Sequence, residues 1–422
     1  AQVSCSSVYS NVCWARLYRQ AELRVAWMGG ILCAPIRNQL LSYAGDDCFC
    51  VGAAQMQGFR EQMEDAHCIC LGLDSHPEVA FFGVYDGHSG DKVAHHLAAE
   101  LHPRIARLGP DFDDDALRQA LVEFDLDVGS GPFRMSGSTC VFVLVRPASG
   151  SRCRSSGSSM RVTAVNVGDS RAMLIRSDGS LVSLTQDHKP TDVKERNRIA
   201  RAGGFVKADR TDGELAMSRA IGDFRYKMNP DLDPTEQKVI AVPDIRHDVI
   251  HPGDRLLVVC DGVVERLTNQ QVARFVHGQL KVHGDDPALV TRQLLQYSLA
   301  SGSTDNHSAI LVCMQDGSSY GGAERYMPGP FSPWKEDKRF ACAYIKNAKA
   351  FGQTDATLAK SIADGDAEEP ADWRNAVGPS LSYSEWLCSW RALLCLLVLM
   401  ICHLVTSNAV WGAGIEDGDE YL

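Results

Sequence analysis

The stretch FFGVYDGHSG, residues 81–90, ends an apolar run abruptly in Asp86-Gly87-His88. A carboxylate at a strand exit, a glycine that admits close backbone approach and an imidazole that carries a proton near neutral pH stand side by side. Taken singly, Asp-Gly is also ordinary turn chemistry. The pattern recurs, however. Asp169, Asp261-Gly262 and Asp305 also lie at or beside the ends of apolar runs, and Glu64-Asp65 follow Arg60 in FREQMEDAH. Several strands thus deliver a carboxylate to one kind of polar edge. Clustered carboxylates without partners are costly to bury, and divalent cations remove that cost. An all-oxygen donor set suits magnesium or manganese rather than zinc or copper. A shared carboxylate such as Asp86 could bridge two ions about 3.5–4 Å apart with an activated water between them. Spacing alone leaves open whether these groups meet.

The elements that must position them are legible as alternating strands and helices between about residues 47 and 315. Val79–Tyr85, Ser138–Pro147, DRLLVVCDG and HSAILVCMQ read as strands buried on both faces, because they are short apolar runs without polar alternation. MRVTAVNVGDSRAMLI reads as two strands bracketing a turn at Gly168-Asp169, and Ser177-Asp178-Gly179 continues the antiparallel meander. Gly90–Leu101 has helical spacing, with Pro103 ending or kinking that helix. Val193–Ala202 ends at Gly203-Gly204, a C-cap signal. Thr268 with Gln271 forms a capping box, and Asp286-Pro287 is an N-cap followed by proline. PASGSRCRSSGSS, from Pro147, is a loop. The pattern indicates an α+β fold with antiparallel sheets and helices packed outside.

Four segments follow: an N-terminal extension over 1–46, a catalytic domain over 47–315 with a flap at about 193–238, a variable linker over 316–385 and a hydrophobic tail over 386–422. MGGILCAP begins at Met28. With Met28 as the start, Gly29 fits an N-myristoylation pattern except that Cys33 takes the Ser/Thr place. Residues 392–411 carry no Asp, Glu, Lys or Arg and are long enough to cross a bilayer as a helix. Arg391 precedes that span and Glu416, Asp417, Asp419 and Glu420 follow it. This asymmetry keeps the large N-terminal part cytoplasmic in a tail-anchored chain. The alternative for the span is a buried or amphipathic helix.

The net charge of −11 argues against nucleic-acid binding and suits a cation binder. The 15 cysteines show no framework of regular spacing, which points to a reducing intracellular compartment. Cys48, Cys50, Cys68 and Cys70 form C-x-C pairs, a poor match to zinc spacing. C-x5-R occurs from Cys13, Cys140 and Cys260, but bulky, apolar or acidic residues fill the loop where a phosphate cradle needs glycines.

REQMED, YDGHSG, SGST, NVGDSRA, TQDHKP, LAMSRAIGD, CDGVVE and GSTDNHSAI occur in that order over about residues 50–315. This set resembles the metal-dependent protein Ser/Thr phosphatases, the type 2C or PPM family. The resemblance implies two antiparallel sheets packed as a sandwich flanked by helices, a dinuclear metal site at one edge and a small flap. It implies two Mn2+ or Mg2+ ions. Asp86 would bridge them, with Glu64 and the Gly87 carbonyl on one ion and Asp261 and Asp305 on the other. Asp65 would order water behind them. Arg60 would bind phosphate, where its planar fork suits two oxygens. His88 would protonate the leaving Ser or Thr oxygen. Asp169 would belong to a weaker third metal site. Direct attack by a metal-bridging hydroxide on phosphoSer or phosphoThr of phosphoprotein substrates is the implied reaction, in a catalytic domain that acts as a monomer. Arg219 and His188 read as structural, and Asp223 as a residue that orders the flap.

One departure stands out. The family pattern has Asp-Gly-Ile-Trp-Asp where this chain has DGVVE, so Val264 and Glu265 replace the tryptophan and the second aspartate. Glu265 can ligate a cation with altered reach, which puts the third site in question and leaves the two-metal core intact. The alternative is a catalytically weak relative acting as a phosphoprotein-binding or membrane scaffold. The complete set Glu64, Asp86, Asp261 and Asp305 favours the enzyme.

Overall fold

Apolar runs with no wet face can fold only as inner strands covered on both sides, and this chain builds two sheets from them. The computed structural model describes residues 31–367 apart from 110, 132, 134, 135, 149–156 and 285. β1 (Ile31–Gly45) and β2 (Phe49–Arg60) form a long hairpin. The chain then crosses to a second layer, where β3 (Ala66–Cys70) pairs with β4 (Ala80–Tyr85), followed at once by the short β5 (Gly87–His88). Helices α1 (Lys92–Ile105) and α2 (Asp114–Ser130) cover that layer. Next come β6 (Gly137–Ser138), β7 (Cys140–Pro147) and β8 (Met160–Val167). β9 (Arg171–Ile175) and β10 (Leu181–Ser183) return to the first layer. The flap holds α3 (Val193–Arg201), the hairpin β11 (Val206–Lys207) and β12 (Arg210–Thr211), and β13 (Ile221–Gly222). The chain continues through β14 (Asp244–Ile250), β15 (Arg255–Val259), α4 (Asp261–Val264), α5 (Asn269–Val282) and α6 (Pro287–Ala300). It finishes with β16 (His307–Met314), β17 (Arg325–Met327), α7 (Lys338–Ala350) and α8 (Asp355–Ala367).

Among the described residues the sheets run β10-β9-β15-β16-β2-β1-β17 and β14-β8-β7-β4-β3, with the small sheet β13-β6-β5 beside them. Strand alternation assigns the faces. On β4, Phe81 and Tyr85 join the core under α1 and α2, while Phe82 meets Phe49 of β2 edge-on at 5.8 Å between the sheets. Each such ring contributes about 1.5–3 kcal/mol on burial. The expected capping box forms at Thr268 and Gln271, and Asp286 accepts from Ala288 and Leu289 N–H.

Three expectations are corrected. The strands bracketing Gly168-Asp169 do not pair: β8 is already flanked by β7 and β14, so the chain crosses at Asp169 to the other sheet. Of the two effects expected of Pro103, it does not end α1, which continues to Ile105 because that last turn keeps Leu101 and Ile105 buried. The 316–385 linker carries β17, α7 and α8 in its described part. β17 pairs with β1, and Phe340 and Tyr344 pack on Leu32, Ala34 and Ile36, so part of the expected 1–46 extension is sheet too. Residues 149–156 of the expected loop, Met28-Gly29, Cys13 and the 392–411 span lie outside the described residues. Among the described residues no helix is long and apolar enough to cross a membrane.

Candidate active site

The topology brings strand ends of both sheets to one edge of the sandwich. β4 exits at Asp86, β15 exits into Asp261, Asp65 enters β3, Asp305 lies two residues before β16, and Asp169 sits at the crossing between sheets. Backbone clamps fix the edges. Asp86 N–H donates to Thr139 Oγ1 at 3.0 Å, and Thr139 N–H donates to Asp86 O at 2.9 Å. Asn306 accepts from Glu64 N–H at 2.9 Å and donates through Nδ2 to Gln57 O and Gln62 O at 2.8 and 3.0 Å. One side chain thereby ties the loop bearing Arg60 and Glu64 to the turn bearing Asp305. Gly87 is required here, since a Cβ would lie 2.3 Å from Glu64 O.

Electrostatics identify what the cluster lacks. Burial, then Asp261, Asp65, Asp305 and Asp169, push the Asp86 carboxyl well above the usual range. Burial and the neighbouring Asp169 and Asp305 raise Asp261 to about 8, against a hydrogen bond shared with Asp86. Burial raises Asp65 to about 7 although Ser308 and Cys260 pull it back. Neither Asp65 oxygen has a hydrogen bond of good geometry, and Asp169 Oδ1 also has none. Asp305 is raised by burial, with Arg60 opposing. Unpaired buried oxygens and mutually raised carboxyls fit a site that takes positive charge. The donors are oxygens only. Cys260 Sγ lies within 4.8 Å of the Asp65 and Asp86 oxygens, yet burial holds its thiol well above the ordinary range, and it accepts from Ser308 N–H at 3.1 Å. Cys140 is likewise raised by burial, so neither thiol supplies a ready nucleophile.

Around this cluster stand the remaining groups. Arg60 Nη2 donates to Asp305 Oδ2 at 2.5 Å, and its side chain stays 47% exposed. Glu64 Oε1 accepts from Gly90 N–H at 2.7 Å, and burial raises its carboxyl. Lys189 Nζ donates to Asp169 Oδ2 at 2.5 Å. Glu265 stays on the exposed rim, where Oε2 accepts from Ser303 Oγ and Thr304 N–H, both at 2.9 Å. His88 Nε2 contacts Asp223 Oδ2 at 2.6 Å. Burial lowers the His88 imidazole, and Asp223 more than offsets this, leaving it raised.

The structure therefore gathers Asp65, Asp86, Asp169, Asp261 and Asp305, with Arg60, Glu64, Gly87 and His88 beside them, and holds Glu265 on the exposed rim, near enough to help raise the Asp305 carboxyl. Sequence reasoning overlooked Asn306, Lys189 and Thr139, each inside a quoted motif. It assigned Asp223 to flap order, whereas the side chain meets His88 from 135 residues away. His188 accepts from Gly168 N–H at 3.0 Å, and Arg219 is paired to Glu195 and Asp244.

The protein phosphatase 2C family profile matches residues 49–307. A probable protein phosphatase 2C of Caenorhabditis elegans is 34% identical over 307 residues, covering 69% of this chain and 82% of its own. Protein phosphatase 2C homolog 2 of Schizosaccharomyces pombe is 36% identical over 311 residues, covering 69% and 80%. Among solved structures, a Toxoplasma gondii phosphatase superposes with a TM-score of 0.61 at 30% identity, covering 68% of this chain and 98% of its own. With profile, relatives, sandwich and carboxylate edge in agreement, the chain belongs to the protein phosphatase 2C family and with it to the metal-dependent protein serine/threonine phosphatases.

Proposed function

We propose that Asp86, Asp261, Asp305, Glu64 and the Gly87 carbonyl hold two Mn2+ or Mg2+ ions for hydrolysis of phosphoSer and phosphoThr in protein substrates. Asp65 orders water behind them. The observation that carries this reading is the convergence of buried carboxylates at the edge shared by both sheets, where Arg60 reaches Asp305 and Lys189 reaches Asp169 but Asp65, Asp86 and Asp261 have no ion pair among the described residues. When bound, such ions lower the pKa of the attacking water and neutralise phosphoryl oxygens. The chain's own residues do the rest. Arg60 has donors beyond the one committed to Asp305 and an exposed side chain, so its fork can take two phosphoryl oxygens. His88 gives a proton to the departing alkoxide. Asp169 carries Lys189, and Glu265 is engaged by Ser303 and Thr304, so the reading assigns no step to a third ion. All four primary carboxylates are present, and no observation favours a binding-only relative.

Hydrolysis of a phosphothreonine peptide in oxygen-18 water tests this. Direct attack puts one solvent oxygen into phosphate, leaves no acid-stable phosphoenzyme and survives thiol alkylation. A trapped phosphocysteine would refute it.

A further inference from the structure

The chain is acidic, with a net charge of −11, yet one cleft of the fold is basic. The cleft has a volume of about 650 Å³ and is walled by the flap helix α3, the edge strand β14 and helix α2. Arg118 comes from α2, Lys194, Arg198 and Arg201 from α3, Arg246 from β14 and Arg219 from the loop before β13. Among the described residues, the acidic side chains on its wall are Glu236 and Asp244. None of the groups assigned above to metal, phosphate or proton transfer lines it.

The cations divide into a committed floor and an unanswered mouth. Arg198 and Arg219 are buried, and both pair with Glu195. Arg219 also pairs with Asp244, and Arg198 donates to Gln237 O and Ser218 O. Arg118 pairs with Asp115 at 2.9 Å. Lys194, Arg201 and Arg246 are exposed and have no ion pair among the described residues. Helical spacing puts Lys194, Arg198 and Arg201 on one face of α3. Strand alternation puts Asp244 and Arg246 on one face of β14, with Asn166 of β8 opposite Asp244. Asn166 lines the cleft and is 1% exposed. Its Nδ2 donates to Gly168 O at 3.3 Å and Gln186 O at 3.0 Å, which fixes the amide and leaves Oδ1 with no donor in the protein.

We propose that this cleft is a second anion site, which takes a small polyol carrying several phosphoryl groups. Guanidinium forks at Arg201 and Arg246, with the Lys194 ammonium, match phosphoryl oxygens arriving from solvent. A ligand hydroxyl answers the orphaned Asn166 Oδ1, which a bare phosphate cannot do unless protonated. The volume falls within the range of small-molecule sites. A basic cleft in an acidic chain also draws anions from a distance. A bound ligand joins α3 of the flap to β14 at the sheet edge, and so holds the flap against the sandwich. This inference goes beyond the proposed hydrolysis and uses none of its residues.

The test titrates the hydrolysis-resistant phosphorothioate analogue of myo-inositol trisphosphate into the full chain with saturating Mg2+, by calorimetry. One probe is expected to bind per chain. Arg201→Gln and Arg246→Gln each remove a charge-assisted bond, and each is expected to weaken binding roughly tenfold or more. Arg60→Lys, at the catalytic edge, is expected to leave probe binding unchanged. Turnover does not enter this readout, so failure here leaves the hydrolysis reading standing, and failure of that reading leaves this one standing. No binding at millimolar probe would overturn the proposal. Binding lost in Arg60→Lys and kept in Arg201→Gln would put the probe on the catalytic edge and overturn it too. A phosphopeptide held through Arg201 and Arg246, with no binding of the probe, would make the cleft a protein-recognition surface and refute the polyol assignment. Should the variants fail to fold, hydrogen exchange of the wild-type chain decides. New protection of α3 and β14 on adding the probe supports the site, and protection only elsewhere overturns it.

Discussion

At the scale of single residues, the site divides into groups that carry negative charge and groups that answer it. Asp65, Asp86, Asp261 and Asp305 face one another with too few cations nearby, and Arg60 reaches only Asp305. A guanidinium fork makes two parallel charge-assisted bonds to a phosphoryl group, and an ammonium makes point contacts. Arg60→Lys keeps the charge and loses the fork. One charge-assisted bond is worth about 1.5–3 kcal/mol, so kcat/KM on a phosphothreonine peptide is expected to fall roughly 10–100-fold. Inhibition by inorganic phosphate is expected to weaken in parallel. Unchanged phosphate inhibition would remove Arg60 from phosphate binding. Most of this residue set was legible beforehand, because each carboxylate lies at or beside one end of an apolar run in a motif of fixed order. Asp223 was not legible as a partner of His88. Nothing local in SRAIGD tells that a three-strand miniature sheet will lay it across Gly137.

At the scale of elements, strands were read well and their pairing less well. β4, β15 and β16 are uniform apolar runs, so their existence follows from burial on both faces. The same uniformity hides which sheet a strand joins, and β8 and β9 therefore resembled a hairpin while belonging to different layers. The flap shows a second limit. Its anchor is a buried ion network spread over helix α3, Arg219 and β14, invisible to local pattern. Glu195 is 3% exposed, Arg198 donates to it from Nη1 at 2.5 Å and Arg219 from Nη2 at 2.7 Å. Burial pushes the Glu195 carboxyl up, and Arg219 and Arg198 more than offset this, holding it at about 2. A depressed carboxyl stabilises the fold fully above its unfolded value and loses that contribution as pH falls through the folded one. The flap is thus expected to lose protection in hydrogen exchange progressively between pH of about 4.3 and 2. Glu195→Gln leaves two buried guanidinium groups under-compensated and is expected to cost about 3–5 kcal/mol in urea unfolding. A cost under about 1 kcal/mol would show that the network is solvated rather than buried.

At the scale of the whole molecule, the catalytic sandwich extends further than motif boundaries indicate. β17 adds an edge strand to β1, and α7 places Phe340 and Tyr344 on Leu32, Ala34 and Ile36. The glycine- and proline-rich stretch near GGAERYMPGPFSPW concealed this, because a three-residue strand and a helix packed on a distant β1 leave a weak periodic signal. Phe340→Ala removes a fully buried ring and is expected to cost about 3–5 kcal/mol in denaturant unfolding. A loss under about 1 kcal/mol would return this segment to the status of a loose appendage. The sheets exist to bring carboxylates from distant chain segments to one edge, and the central claim is that this edge binds the ions that make the enzyme work. The most direct measurement titrates Mn2+ into the full chain by calorimetry and follows phosphothreonine hydrolysis in the same samples, beside Asp261→Asn. The expected result is tight binding of two ions per chain with turnover that a chelator abolishes. In Asp261→Asn at least one ion is expected to be weakened, with turnover lost by about a thousandfold or more. Undiminished turnover in Asp261→Asn, or in chelated wild-type protein, would contradict the account.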